Sequence, residues 1–479
     1  MEVISRRATA AVAIAALGAF ATAGCARLSP DGGLDGVSAV AGSRLGQNVV
    51  FPAAIPEPGS ARAETARLLA QPLTADDAVQ VALLNNPALR IALADVRIAE
   101  ADWVQAGRLG NPRFSTIRTR SDEGFKYETS FTFPVLGLFT MPMTRKMERR
   151  RLEAVQFQVA DRALQLAVDT RRAYFEACAA EEQVRYLERV HEASDIGAEL
   201  AARMAEAGNF SRLDQLREKA FELDARTRLT RARNAAQAAR ERLTRLLGLA
   251  GDDARYRLPE RLPDLPSSLA ELGDVEATAL GQRLDVLSAK RGAESTAASL
   301  GLVKTTRFIN ALELGPATLL EDGHATKKGY ELSVELPLFD WGGARVARAE
   351  ALYMQAVQRV AEVAVQARSE VREAHANYRL AWETARQYRD ELLPVRRKIS
   401  QEHLLRYNGM LMSVFELLAD QREQISATSG YIDALREFWL AEAQLQQALG
   451  GRFAGTATVV PTAPGAPAPS SPAHDHSKG

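Results

Sequence analysis

The sequence predicts a mainly α-helical chain, internally duplicated, that carries a small transmembrane β-barrel portion. Three observations predict it. Ala, Arg, Glu, Gln and Leu crowd long stretches while aromatics are only 6%, a composition of long helices and coiled coils. Two short stretches alternate with period two, as strands with one oily face do. In "FKYETSFTF", Phe125, Tyr127, Thr129, Phe131 and Phe133 alternate with Lys126, Glu128, Ser130 and Thr132. In "YELSVELPL", Tyr330, Leu332, Val334, Leu336 and Leu338 alternate with Glu331, Ser333, Glu335 and Pro337. Glycine-marked breaks in the helical pattern also recur about two hundred residues apart, the signature of a repeat.

The N-terminus reads as targeting. Arg6 and Arg7 precede an apolar run that ends at Cys25, too short for a permanent span. Ala23-Gly24-Cys25 resembles a lipobox with Thr22 in place of its usual Leu, so residues 1–24 are expected to be a lipoprotein signal peptide and Cys25 the lipidated residue. The alternative is ordinary cleavage with an unpaired cysteine. Ala26 and Arg27 follow, with no aspartate to mark inner-membrane retention. Residues 25–72, rich in Ala, Gly, Pro and Ser, are expected to form the lipid anchor and an extended N-terminal linker. Cys178 has no partner and is expected to be a buried small hydrophobe.

The first repeat is placed at 73–250. Thr74 caps a helix, with Asp77 three residues on, and Asn86-Pro87 divides it from a second helix to about Ala106. Two strands follow, over 113–120 and 125–133, and then a helix over 145–205. That helix carries a heptad-like seam including Leu152, Val159, Ala163 and Ala173, and its 60 residues span about 90 Å. "AGNFSRLD" breaks it at Gly208, and a return helix over 213–247 stops at Gly248. After a Pro-rich connector at 251–267, the second repeat, 268–452, copies the plan. It has a helix over 268–300, strands over 307–315 and 330–338, a helix over 344–406, a break at Gly409 and a return helix to Leu449. Residues 453–479 are expected to be a disordered Pro/Ala-rich tail.

No stretch of eighteen apolar residues follows the signal, so any crossing requires a closed barrel. Four strands are too few, since about eight is the smallest number that closes. Three chains would supply twelve. The polar strand residues Lys126, Glu128, Glu331 and Glu335 would then line the lumen; the alternative is exposure at the rim.

These features resemble the outer membrane factors, the TolC-like efflux channels. The residues that carry the resemblance are "NNPALRIALADVRIAEADW" with its echo "GQRLDVLSAKRGAE", the strands "SFTFPV" and "SVELPLFDWG", and "RYNGMLMSVFELLADQRE". The last is similar to the family's R-Y-x-x-G helix turn, with the glycine one residue early. The resemblance implies a homotrimer in the outer membrane of a Gram-negative bacterium. It implies a twelve-stranded barrel and a long periplasmic α-helical tunnel, joined through a periplasmic adaptor to an inner-membrane pump, for efflux or type I secretion of metal ions or drugs. It places adaptor docking at the helix tips Gly208, Asn209, Phe210, Gly409, Met410 and Leu411. It places the periplasmic entrance at Asp214, with Phe415 and Leu418 where the prototype has acids. A helix hairpin alone would also use glycine at its turn, and Asp214 alone also reads as a solvated carboxylate.

Other chemistry is absent from the pattern. Formal net charge is zero, which gives no support for nucleic-acid binding, since that would want a basic surface. No phosphate loop, cysteine pair or nucleophile motif occurs, so neither an enzyme nor a cofactor is expected. His474 and His476 are metal-capable ligands in a tail that otherwise reads as solvated. A periplasmic coiled-coil structural or adaptor protein without a pore is the alternative function, and it leaves the aromatic strand face uncovered.

Overall fold

A computed structural model describes residues 27–46, 51, 59–122, 124–309, 311–412 and 414–453. Two helices precede the first repeat, α1 (Leu34–Leu45) and α2 (Ser60–Leu69). They stand where an extended linker is expected. The Ala- and Gly-rich composition hides the spacing of Leu34, Val37, Ala41 and Leu45, which puts all four on one face. That face is buried in a cluster with Leu93, Val96 and Val159. The helix pair α3 (Ala75–Asn85) and α4 (Pro87–Ala106) is split at Asn86. Thr74 accepts from the Asp77 amide as the cap of α3, and Asn86 accepts from the amides of Ala88 and Leu89. Pro87 opens α4, where its missing N–H costs nothing.

Strands β1 (Arg113–Ser121) and β2 (Gly124–Pro134) lead into α5 (Leu136–Glu206), whose 71 residues extend over about 107 Å. The return helix α6 (Arg212–Leu247) ends on left-handed Gly248. Its counterparts follow as α7 (Val275–Gln282) and α8 (Leu284–Thr306), β3 (Leu312–Glu321), β4 (Lys327–Val334), α9 (Gly343–Gln387), α10 (Leu393–Asn408) and α11 (Val414–Leu449).

Several expected boundaries shift. The single helix over 268–300 is two helices broken at Arg283, whose φ of −61° and ψ of 129° nearly repeat the −64° and 120° of Asn86. The strand expected over 307–315 begins at Leu312, because the chain leaving α8 at Thr306 first makes a turn at Arg307 and Phe308. β4 ends at Val334, leaving Leu336 and Leu338 beyond the ladder. The helix over 344–406 is also interrupted by a π-turn, Tyr388–Leu392. Pro394 cannot donate to a preceding carbonyl, and a widened turn accommodates that loss.

Duplication extends to the packing of single glycines. A Cβ on Gly248 would lie 2.7 Å from the Asn85 carbonyl oxygen, and one on Gly450 would lie 2.9 Å from Cα of Arg283. Each repeat therefore closes by laying its terminal glycine on the break of its own short helix pair. The largest core cluster joins both repeats through Tyr174, Phe175, Tyr378, Phe438 and Trp439. The connector is held against it: Trp439 Nε1 donates to the Pro263 carbonyl at 3.0 Å and Trp382 Nε1 to that of Pro266 at 3.1 Å. Cys178 is fully buried there, and burial raises its thiol above the ordinary range. No described helix is long and apolar enough to cross a membrane.

Candidate functional site: a two-faced sheet and two helix tips

All four strands form one antiparallel sheet in the order β1-β2-β3-β4, so pairing of β2 with β3 welds the two repeats together. Register assigns the faces. Residues paired across strands share a face, and the pairs Phe114–Phe131, Phe133–Leu314 and Leu314–Leu332 fall on one of them. That face also carries Tyr127, Leu320, Tyr330 and Val334, all exposed, with Tyr330 at 79%. The opposite face holds Lys126 and Glu128 on β2 and Glu331 on β4, opposite Glu321, Leu319 and Gly315 of β3. Glu335 lies just past β4, its amide donating to the Ala311 carbonyl. Ser130 and Thr132 are buried on this face, and Thr132 donates to Glu313, which pairs with Arg113 at 3.2 Å. Thus the alternation separates an oily surface from a charged one. β1 and β4 each leave one edge of the sheet unpaired within the chain.

At the far end of the helices the two hairpin turns match bond for bond. In the first, Gly208 N–H donates to Ala205 and Asn209 N–H to Met204; in the second, Met410 N–H donates to Tyr407 and Leu411 N–H to Arg406. The residue equivalent to Gly208 (φ 75°) is therefore Met410 (φ 57°), the sole non-glycine with positive φ among the described residues. Gly409 sits at an ordinary φ of −80°. Counting forward from that register, Glu416 rather than Phe415 corresponds to Asp214, and Asp420 corresponds to Glu218. This shifts the expected reading of the entrance, which puts apolar side chains where the prototype has acids. Phe415 and Leu418 belong to α11, but their side chains lie outside the described set.

Asp214 itself is anchored: its amide donates to Ser211 as the cap of α6, and its carboxylate pairs with Arg217 at 3.1 Å. The side chains of Met410 (93% exposed) and Leu411 (82%) are exposed at the second tip, as are those of Leu404, Leu405 and Tyr407. Behind the tips, Arg422 of α11 pairs with buried Glu218 of α6 at 2.9 Å and covers the Phe221 ring at 4.5 Å. Asp420 is buried against Ser400 at 2.5 Å and His403 at 3.7 Å. The sequence pattern gives these groups no signal apart from carboxylates and arginines at helical spacing. Cys25, His474 and His476 lie outside the described residues. Among the described residues no group of three His, Cys, Asp or Glu side chains could hold a metal ion.

Residues 78–249 match the outer membrane efflux protein family. No curated protein sequence matches the chain. Its structural neighbours include several outer-membrane channels. A membrane protein from Pseudomonas aeruginosa superposes with a TM-score of 0.68 at 21% identity, over 78% of this chain and 93% of its own. The outer membrane protein VceC from Vibrio cholerae gives 0.65 at 18%, over 79% and 96%. The open-state MtrE outer membrane channel of Neisseria gonorrhoeae gives 0.66 at 19%, over 79% and 89%. At these identities the likeness establishes the fold.

Proposed function

We propose that the chain is one subunit of a trimeric outer-membrane efflux channel. The observation that carries this is the sheet: an exposed aromatic face, a charged face behind it and two open edges, mounted on helices of about 100 Å. An open edge is unstable in lipid because unpaired backbone groups find no water there. Three copies would close twelve strands, enough for an open lumen. The first-repeat match to the efflux family supports the same reading. In it, Lys126, Glu128, Glu331 and Glu335 face the lumen, and the helices form a periplasmic tunnel. The tips around Gly208–Phe210 and Gly409–Leu411 receive a periplasmic adaptor coupled to an inner-membrane pump, for efflux or type I secretion. Lipidated Cys25 anchors the chain. Metal ions and drugs are the substrate classes proposed; His474 and His476 would touch metal only in the tail.

Single cysteines test it in outer-membrane vesicles. Cysteine at Glu128 or Glu331 is expected to react with a membrane-impermeant maleimide. A fluorophore on cysteine at Phe131 or Leu332 is expected to be quenched by lipid-borne nitroxide. Equal water access on both faces would sink the barrel and favour a soluble periplasmic protein.

A further inference from the structure

The oily face is not uniform from one end to the other. Toward the helices it is wholly apolar: Phe114, Phe131, Phe133, Leu312, Leu314, Leu332 and Val334. At the opposite end, where the β1–β2 and β3–β4 turns lie, the same face carries Arg118, Arg120 and Lys328. Arg118 is paired with Tyr127, Arg120 with Phe125, and Lys328 with Thr318. All three cations are exposed, and none makes an ion pair among the described residues. The arginines are braced instead by rings: the Arg118 guanidinium lies 4.4 Å from the Phe125 ring centre and 5.4 Å from that of Tyr127, and Arg120 lies 5.4 Å from Phe125. Glu321 is on the inward face, held by Lys327 at 2.9 Å; Asp122 and Asp322 sit in the turns beyond the strands.

We propose that Arg118 and Arg120 on β1, with Lys328 at the opposite edge of the sheet on β4, form a basic rim on the outward barrel face for phosphate groups of an anionic glycolipid in the outer leaflet. This rests on the reading of that face as lipid-exposed. Three physical points support it. Cations on a lipid-facing strand are tolerated only near the interface, where this end of the sheet would lie. Cation–π contact with Phe125 and Tyr127 pre-orders the guanidinium groups at the depth of a headgroup, and Arg binds phosphate through two parallel N–H bonds. The basic rim occurs at one end only, so it distinguishes the two leaflets; a device for general solubility would need no such polarity. Beside the cations, Phe125, Tyr127 and Tyr330 form the amphipathic belt that seats a strand at the interface.

The test uses the full chain in phosphatidylcholine nanodiscs, with three probes added in turn: diphosphorylated lipid A, the same lipid without phosphates, and phosphatidylglycerol. Inorganic phosphate in solution is a fourth. Native mass spectrometry counts retained lipid. Diphosphorylated lipid A is expected to be retained about tenfold over its dephosphorylated form, and R118Q/R120Q/K328Q is expected to abolish that preference. R118K/R120K should retain part of it, and K126Q, on the inward face, all of it. Equal retention of the dephosphorylated lipid, of phosphatidylglycerol, or by the triple glutamine variant overturns the site, as does competition by inorganic phosphate. Should the wild-type chain fail to insert into nanodiscs at all, the barrel reading fails first; insertion without phosphate preference fails this inference alone.

Discussion

Met410 occupies a backbone conformation that an L side chain adopts at a cost of about 1 kcal/mol or more. Its counterpart Gly208 adopts the same conformation without that penalty, and a Cβ there would meet nothing within 4 Å. The two sites therefore isolate a conformational effect from a steric one. Met410→Gly is expected to steady the second tip by about 1 kcal/mol, and Gly208→Ala to loosen the first by a similar amount. Gly409→Ala, at φ −80°, should change little. Hydrogen exchange of the amides over 204–211 and 405–412 reads each change, as roughly fivefold slower or faster exchange. No change at Met410→Gly would mean that tip is not held in this conformation. The same residues show where sequence reading stops: glycine marks that a turn is near, but which residue takes the positive φ depends on hydrogen bonds between Leu411 and Arg406 that no composition reveals. Counting from the two glycines alone therefore pairs Asp214 with Phe415, one residue short of the Glu416 that the hydrogen-bond register gives.

Between elements, legibility tracks how much the solvent differs on the two sides. β2 and β4 are readable because water and an oily surface alternate along them, whereas α1 hides in Ala- and Gly-rich sequence and β3 starts late because the chain first turns at Arg307 and Phe308. Least legible is the polar joint where α3, α5 and α11 meet the end of the second repeat. Arg171 of α5 pairs with Asp76 at 2.6 Å and donates to Gln446. Arg452 reaches the same Asp76 oxygen at 2.5 Å, and Gln446 donates to Glu442 at 3.2 Å. Glu442 is deeply buried in this joint; burial pushes its pKa up to about 7, against the pull of Arg171, Gln446 and Arg452. Across the window from its ordinary 4.5 to 7, the folded chain keeps a proton that the unfolded chain releases. Stability contributed at this site therefore falls as pH rises through that window, by about 3 kcal/mol in all. Glu442→Gln keeps the hydrogen bonding and removes the titration. The variant is expected to match the wild type near pH 4.5 and to exceed it above pH 7, in thermal unfolding followed by circular dichroism. Parallel pH profiles for the two proteins would place the proton elsewhere.

For the whole molecule, the decisive fact is that the sheet is complete in sequence and incomplete in space. All three ladders form within one chain, with β2–β3 interrupted at Phe131 and Thr132, yet among the described residues β1 and β4 each keep an unpaired edge of backbone donors and acceptors. Such edges drive pairing with another chain, and the twist of a sheet curls successive strands toward closure rather than a flat ribbon. Association through β4 of one copy and β1 of the next is heterologous, so it must end in a ring or run on as a fibre. The long helices favour the ring, because each hairpin must find the same neighbours as the strands it carries. Cysteine at Ser115 on β1, combined in turn with cysteine at Gly329, Glu331 or Ser333 on β4, samples the registers open to that joint. Oxidation in native membranes is expected to give covalent dimers and trimers at one of the three pairings, with nothing larger. Bands beyond the trimer would indicate an open assembly. Monomer alone at all three pairings would mean that these edges do not meet, and the sheet would need another cover for its unpaired backbone.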